Sequence, residues 1–356
     1  MSKETIAIVF GGSSSEHEIS CLSAGGVLSA IDREKYEVVL IGITKDGNWV
    51  LVPQTHNLSI VEGKLPEVPS TAPQVVADVA GFSVGGKPLN VDVVFPTLHG
   101  PYGEDGSIQG FFEIADLPYV GSGVLASAVA MDKSFAKPIF AAHALKVADG
   151  FTVTATQWSS DKAEWQKKAD ALGYPLFVKP ARGGSSRGTT KVKSADQLAS
   201  AIIEAHRFDP KAMVESAVVG LEIECAVLEI DGVPHASKVG QIKIDSKFEF
   251  YDFEAKYLDG ATEIIIPADI PASASDAIRA ASLDAFTSLG CSGLARVDFF
   301  FTNAGEVVIN EINTMPGFTA TSVFPKMWAA TGKSHEQIVQ ALIDTAKRRT
   351  NGPLGN

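Results

Sequence analysis

The chain of 356 residues has only three cysteines, Cys21, Cys225 and Cys291, far apart and without a CxxC pair. An odd, scattered count supports no disulfide framework, and a reducing compartment fits it. No apolar run reaches the ~18 residues that a membrane span needs. The opening Met-Ser-Lys-Glu has no basic stretch followed by an apolar one, so no signal peptide is expected. Positive charge is also scarce. The formal net charge is −12, and nucleic-acid binders usually carry a basic field, so that class is disfavoured. Lys347-Arg348-Arg349 is the one basic cluster and reads as charge placed at a helix C-terminus. These features describe a soluble cytoplasmic protein with no membrane or nucleic-acid partner.

Two familiar nucleotide signatures are missing. Gly81 to Pro88 has the spacing GxxxxGK, but Pro88 stands at the Ser/Thr position, and Met327 stands where a P-loop ending in Gly332-Lys333-Ser334 needs its first glycine. Gly121-Ser122-Gly123 followed by Ala126 matches a dinucleotide fingerprint, yet the acidic residue expected about 20 positions later is absent. A tight strand-to-helix turn explains it better than an NAD site.

What is present is a globular composition, 45% hydrophobic and 20% charged, at a length that needs two or three packed domains. Ile6 to Phe10, Val38 to Ile43 and Val91 to Phe95 read as buried strands alternating with helical patterns, which predicts a parallel sheet flanked by helices. Ser15 and Glu18 have the spacing of a capping box at the start of the first helix. The stretch from Pro53 to Pro88 reads as irregular surface loop. From Met131 the pattern becomes helix, loop, strand (Pro175 to Lys179), Gly-rich turn, strand (Thr189 to Val192) and helix (Ala195 to Arg207). From about Gly220 it becomes strand-rich, with strands at Glu222 to Ile230, His235 to Val239, Leu294 to Phe301 and Val307 to Ile312. A helix around Glu336 to Lys347 closes it. There is no internal repeat.

Several segments have the residue types that chemistry needs. In Lys179-Pro180-Ala181-Arg182-Gly183-Gly184-Ser185-Ser186-Arg187-Gly188, a strand delivers a lysine to a glycine-rich loop whose N–H groups suit a polyphosphate. An exposed hairpin loop fits the same pattern. On two further strands, Arg296 and Asp298 share one face, as do Glu311 and Asn313. Two carboxylates and an amide are hard oxygen ligands that suit Mg²⁺ beside phosphate oxygens, although spacing alone leaves the register open. Pro316-Gly317 is a tight turn whose N–H groups and neighbouring hydroxyls could hold an oxyanion. His99 to Gly106 and Gly11 to Glu16 both follow predicted strands, where open α/β sheets place ligands. Glu16 has no structural duty that spacing explains.

Together these motifs resemble the D-alanine–D-alanine ligase family. The matching segments are GGSSSEHEIS from Gly11, LHGPYGEDGSIQG from Leu98, LPYVGSGVLASAVAMDK from Leu117, FVKPARGGSSRG from Phe177, GLEIECAVLE from Gly220, FYDFEAKY from Phe250, GLARVDFF from Gly293 and NEINTMPGFTATS from Asn310. The resemblance spans nearly the whole chain. It implies the ATP-grasp fold, with an N-terminal doubly wound parallel-sheet α/β domain (1–131), a central subdomain with the phosphate loop (132–219) and a C-terminal subdomain with the metal and substrate site (220–356). It also implies ATP as co-substrate, two Mg²⁺ (or Mn²⁺) ions and a homodimer that joins two D-alanines for peptidoglycan.

By the same resemblance, Lys133, Lys179, Gly184, Ser185 and Ser186 meet the phosphates of ATP, Glu215 and Glu222 its adenine and ribose, and Lys256 its γ-phosphate. Asp298, Glu311 and Asn313 hold the ions. Glu16 takes the first substrate's ammonium, with His99 close by, and forms a triad with Ser185 and Tyr257. Arg296 and the Gly317 N–H stabilise the oxyanion, and Ser322 holds the second carboxylate. Arg187 departs from the family's usual small apolar residue and adds a cation near the nucleotide. Tyr257 favours an amine as second nucleophile. D-alanyl-D-lactate or D-alanyl-D-serine formation is the nearest alternative. A non-catalytic ATP-grasp binding protein would need damaged metal ligands, and an oxidoreductase would need an NAD site.

Overall fold

The computed structural model describes residues 3–184, 186–244 and 262–349. Ser185, Lys256 and Tyr257 therefore lie outside the described residues. The first unit runs β1 (Glu4–Gly11), α1 (His17–Ala30), β2 (Tyr36–Ile43), β3 (Trp49–Val52), β4 (Val75–Asp78), β5 (Gly81–Val84), β6 (Lys87–Pro88) and β7 (Val93–Pro96), then α2 (Ser107–Ile114) and α3 (Val124–Met131). Strand order is β3-β2-β1-β7, with β2 and β7 parallel to β1 and β3 an antiparallel edge. Ile6 to Phe10 are wholly buried, as a parallel strand covered on both faces requires.

Two local expectations are corrected. Helix α1 starts after Glu16 with no side-chain cap, so Ser15 and Glu18 form no capping box. Glu18 instead pairs with Lys45 at 2.5 Å. Between Pro53 and Pro88 the chain is not all irregular, because β4, β5 and β6 form a small antiparallel sheet. Strands of two to four residues joined by tight turns are too short for alternation to reveal.

The second unit begins with α4 (Lys133–Ala142) and continues with β8 (Gly150–Thr154), α5 (Ala155–Ser160), α6 (Lys162–Leu172), β9 (Leu176–Pro180), β10 (Thr190–Val192), α7 (Leu198–Ala205) and β11 (Lys211–Ser216). Its sheet, β10-β9-β11-β8, is antiparallel. The helix expected over 195–207 opens with a 3-10 turn, Ala195–Gln197, and is α-helical only from Leu198.

The third unit contains β12 (Gly220–Ile230), β13 (Val233–Ala236), β14 (Gly240–Ile244), β15 (Thr262–Ile265), α8 (Ala272–Ser288), β16 (Leu294–Thr302), β17 (Val307–Asn313), α9 (Val323–Thr331) and α10 (His335–Arg348). The sheet order is β15-β14-β12-β16-β17, with β13 paired to β12. The strand expected at His235 to Val239 is β13, which ends at Ala236, and α8 was not foreseen at all.

The first and third units share one core. Ile6, Ile8 and Phe10 of β1 cluster with Phe318 and with Trp328, Ile338, Leu342 and Ile343 of the last two helices. Each such side chain contributes roughly 1.5–3 kcal/mol when fully buried. The basic cluster is absorbed in this docking. Lys347 meets Glu4 at 2.6 Å, Arg348 meets Asp231 at 2.9 Å, and Arg349 lies over the Tyr119 ring. The Gly121 turn packs against Gly293, where an added Cβ would come within 3.2 Å of the Gly121 nitrogen, and Gly121 itself has φ +101°, which favours glycine.

Candidate active site

The carboxylates come together through strand register. Strands β16 and β17 pair Arg296 with Asn313 and Asp298 with Glu311. A bulge follows Asp298, and beyond it Phe299 faces Ile309. The extra residue puts Glu311 and Asn313 on the same face as Asp298. On the other side β12 brings Glu224 opposite Asp298. The guanidinium of Arg296 forks onto Asp298, with Nε to Oδ1 and Nη2 to Oδ2 both 2.7 Å, and its Nε lies 3.1 Å from Glu224 Oε2. A planar fork of this kind fixes both partners. Asn313 Nδ2 donates to Asp298 Oδ2 at 3.0 Å, so its amide oxygen is the atom that could serve a cation.

Lysines face this acidic patch. Asp132 caps α4 by accepting from the Ser134 N–H at 3.1 Å. Lys133 and Lys137 then lie four apart on one helix face. Lys133 Nζ reaches Glu311 Oε2 and the Gly183 carbonyl, each at 2.9 Å. Lys137 pairs with Glu215. Lys179 Nζ meets Glu215 Oε2 at 2.8 Å and Asn310 Oδ1 at 3.2 Å. Burial pushes Glu215 up, but Lys137 and Lys179 outweigh it and hold the carboxyl at about 2. Burial lowers Lys137 to about 8 despite its carboxylate partner. For Lys133, burial is overcome by Glu311 and the ammonium is raised. Glu215 therefore faces two ammonium groups and neutralises their charge at a cavity wall.

These groups line a cavity of about 350 Å³, together with Phe177, Ser186, Arg187 and Glu222. Asp298 and Glu311 belong to the lining, and Val218 and Val219 add apolar surface to it. Among the described residues no three His, Cys, Asp or Glu side chains form a metal cage by themselves. Asp298, Glu311 and Asn313 fit Mg²⁺ as part of a shell that water and phosphate oxygens complete, which is how Mg²⁺ is usually held.

The N-terminal loops approach from the other side. Glu16 lies against Gly184 and Gly100, since a Cβ at either glycine would come within 3.1 and 2.8 Å of its Oε2. His99 Nε2 contacts Ser23 Oγ at 2.8 Å and its Nδ1 contacts the Met315 carbonyl at 2.9 Å. Burial lowers the His99 pKa, which favours the neutral ring. Glu104 accepts from the N–H groups of Gly100 at 2.7 Å and Met315 at 3.2 Å. Burial, with Glu16 nearby, pushes its carboxyl up to about 8. Ser322 stands at the N-cap position of α9 without a side-chain cap bond, its Oγ accepting instead from the Thr319 N–H at 3.1 Å and lying 3.2 Å from where a Cβ on Gly317 would be. Met315, Pro316 and Phe318 are buried, whereas Gly317 is partly exposed.

The structure thus gathers Lys133, Lys179, Ser186, Glu215, Glu222, Asp298 and Glu311 at one cavity, and Glu16, His99, Gly184, Gly317 and Ser322 in loops beside it. Three residues escaped the sequence reading. Lys137 is four positions from Lys133, Glu224 is two from Glu222, and Glu104 lies in the motif that supplies His99, so spacing could have found each.

Residues 5–122 match the model described as "D-ala D-ala ligase N-terminus", and residues 139–344 match "D-ala D-ala ligase C-terminus". The chain is 49% identical to the D-alanine--D-alanine ligase of Paenarthrobacter aurescens, over 98% of this chain and 96% of that protein. It is 48% identical to that of Mycolicibacterium smegmatis, with the same coverage. Among solved structures, the VanG D-Ala:D-Ser ligase from Enterococcus faecalis superposes with a TM-score of 0.84 at 37% identity, covering 97% of this chain and 100% of that one. The D-alanine-D-alanine ligase from Coxiella burnetii gives 0.82 at 34%, covering 97% and 95%. Two family models in chain order, relatives matched end to end and a shared ATP-grasp-like fold agree, and the chain belongs to the D-alanine–D-alanine ligase family.

Proposed function

We infer that this chain is an ATP-dependent ligase that joins two D-alanines into D-alanyl-D-alanine for peptidoglycan synthesis. The observation that carries the chemistry is the acidic face of Arg296, Asp298, Glu311 and Asn313, turned toward a lysine-lined cavity beside a glycine-rich loop. A carboxylate is a poor acyl donor. It becomes a good one when its oxygen attacks the γ-phosphorus of ATP and the bond to ADP breaks, giving an acyl phosphate. Such a transfer needs positioning and charge neutralisation more than a protein nucleophile.

In this reading ATP fills the cavity with its phosphates toward Lys133, Lys179 and the loop of Gly184, Ser185 and Ser186. Glu222 serves the ribose and Lys256 the γ-phosphate. Two Mg²⁺ or Mn²⁺ ions, held by Asp298, Glu311 and Asn313, would neutralise phosphate charge and align the reacting oxygens. Glu16, in a triad with Ser185 and Tyr257, takes the ammonium of the first D-alanine. The amine of the second D-alanine, its carboxylate on Ser322, attacks the acyl carbon. Arg296 and the Gly317 N–H then meet the oxyanion, and as the C=O reforms phosphate leaves and takes up the proton that the attacking amine loses.

The division into segments 1–131, 132–219 and 220–356, a homodimer and a cytoplasmic location complete the proposal. Among the described residues no helix is long and apolar enough to cross a membrane. The VanG relative makes D-serine the alternative second substrate, but the identity of 37% against 49% favours D-alanine. The test is ADP release with Mg²⁺ and D-alanine, L-alanine, D-serine or D-lactate, with mass analysis of products. D-Alanine-dependent release of ADP with the dipeptide as product is expected. ATP binding without turnover on any of them would reject the reading.

A further inference from the structure

The turn that presents Gly317 is held by side chains from the opposite end of the chain. Met315 has both backbone groups engaged, its N–H donating to Glu104 Oε1 at 3.2 Å and its C=O accepting from His99 Nδ1 at 2.9 Å. A carbonyl can only accept, so Nδ1 carries a hydrogen, and in the neutral ring Nε2 accepts from the Ser23 hydroxyl at 2.8 Å. That leaves Ser23 Oγ to accept from the Phe318 N–H at 3.3 Å. The second oxygen of Glu104 accepts from Gly100 N at 2.7 Å, which ties the clamp to the loop after β7. Helix α1 backs the turn so closely that a Cβ on Gly26 would come within 2.2 Å of the Phe318 carbonyl oxygen.

The bonded positions, Met315 and Phe318, flank Gly317 on both sides. Both ring nitrogens of His99 and both carboxyl oxygens of Glu104 are spent on this scaffold. We propose that Glu104, His99 and Ser23 are positioning residues that aim the Gly317 N–H at the tetrahedral intermediate, and that His99 acts through the turn and not on the substrate. The N-terminal loops would then set the oxyanion hole as well as the first substrate's pocket. This rests on reading the Gly317 N–H as an oxyanion donor. A donor aimed only at the transition state should affect kcat and leave ground-state binding largely alone.

The test uses the full-length protein with Glu104→Gln and, separately, Ser23→Ala. A glutamine keeps the shape, but its NH₂ has no lone pair to accept an N–H, as either carboxyl oxygen does whether or not the group carries its proton. Steady-state kinetics would be joined by the affinity for a tetrahedral phosphinate analogue of D-alanyl-D-alanine measured with ATP present. We expect kcat to fall roughly 10- to 100-fold in Glu104→Gln, with analogue affinity falling by a similar factor. KM for ATP should stay within about twofold. Ser23→Ala should show the same pattern more weakly and decides the matter if Glu104→Gln does not fold. An unchanged kcat, a fall in kcat with analogue affinity intact, or ATP and analogue affinity falling together would overturn the proposal. A wild-type protein that binds the analogue no more tightly than D-alanine would instead reject the oxyanion role of Gly317 itself.

Discussion

Replacing Glu215 by glutamine should be costly out of proportion to the one atom changed. Its carboxylate is 5% exposed and neutralises Lys137, itself 6% exposed, and Lys179 at 13%. Glu215→Gln leaves two desolvated ammonium groups together with no counter-charge. Removing one partner from a buried ion pair costs about 3–5 kcal/mol. The depression of Glu215 from 4.5 to about 2 gives an independent figure of about 3 kcal/mol.

The pH dependence carries a sign. In the wild type the carboxylate's contribution is complete above about 4.5 and is lost as pH falls toward 2, and the variant lacks that acid limb. Lys137, at about 8 with its partner, should drop further without it. The unfolded lysine then binds a proton that the native one has released, so the variant should gain stability from pH 7 to 9. Urea denaturation at pH 4, 7 and 9 measures this. Lys137→Met in the Glu215→Gln background should recover at least half of the loss, because the surplus buried charge goes with it. A cost below about 1 kcal/mol at pH 7, or strictly additive losses in the double variant, would refute the reasoning.

Two further substitutions probe the site's frame. Gly26→Ala puts a methyl 2.2 Å from the Phe318 carbonyl and 3.0 Å from the Thr319 Cα, backbone atoms that cannot give way. It should lose about 1–3 kcal/mol in urea denaturation and lower kcat, whereas Gly110→Ala in α2, which meets nothing within 4 Å, should gain up to about 1 kcal/mol. Asp298→Asn removes the charge on which Arg296 forks, and should cut ADP release at least about 100-fold and raise the Mg²⁺ needed for half-maximal rate. Full activity at unchanged Mg²⁺ dependence would remove Asp298 from the metal site.

How far the molecule could be read before it was seen depended on contrast in local pattern. Strands β1, β16 and β17 are apolar runs bounded by turn residues, and they lie where periodicity put them to within a residue or two. Helix α8 was invisible because its buried positions, Ala274, Ile278, Ser282, Ala285 and Phe286, have helical spacing but are mostly small or polar. In the site, residues two apart on a strand identified Arg296 with Asp298 and Glu311 with Asn313. Parity could not join the pairs. Continuing the hairpin register from Phe301 opposite Val307 would bring Asn310 opposite Asp298 and send Glu311 to the far face. One bulged residue reverses that, and no spacing rule announces a bulge. The hydrogen bonds that His99 and Glu104 make to Met315 span 216 and 211 positions. Spacing places residues within an element, and the site lies between elements. The proposed metal ligands meet only through an insertion in one strand, and the Gly317 turn is held by side chains from a distant loop.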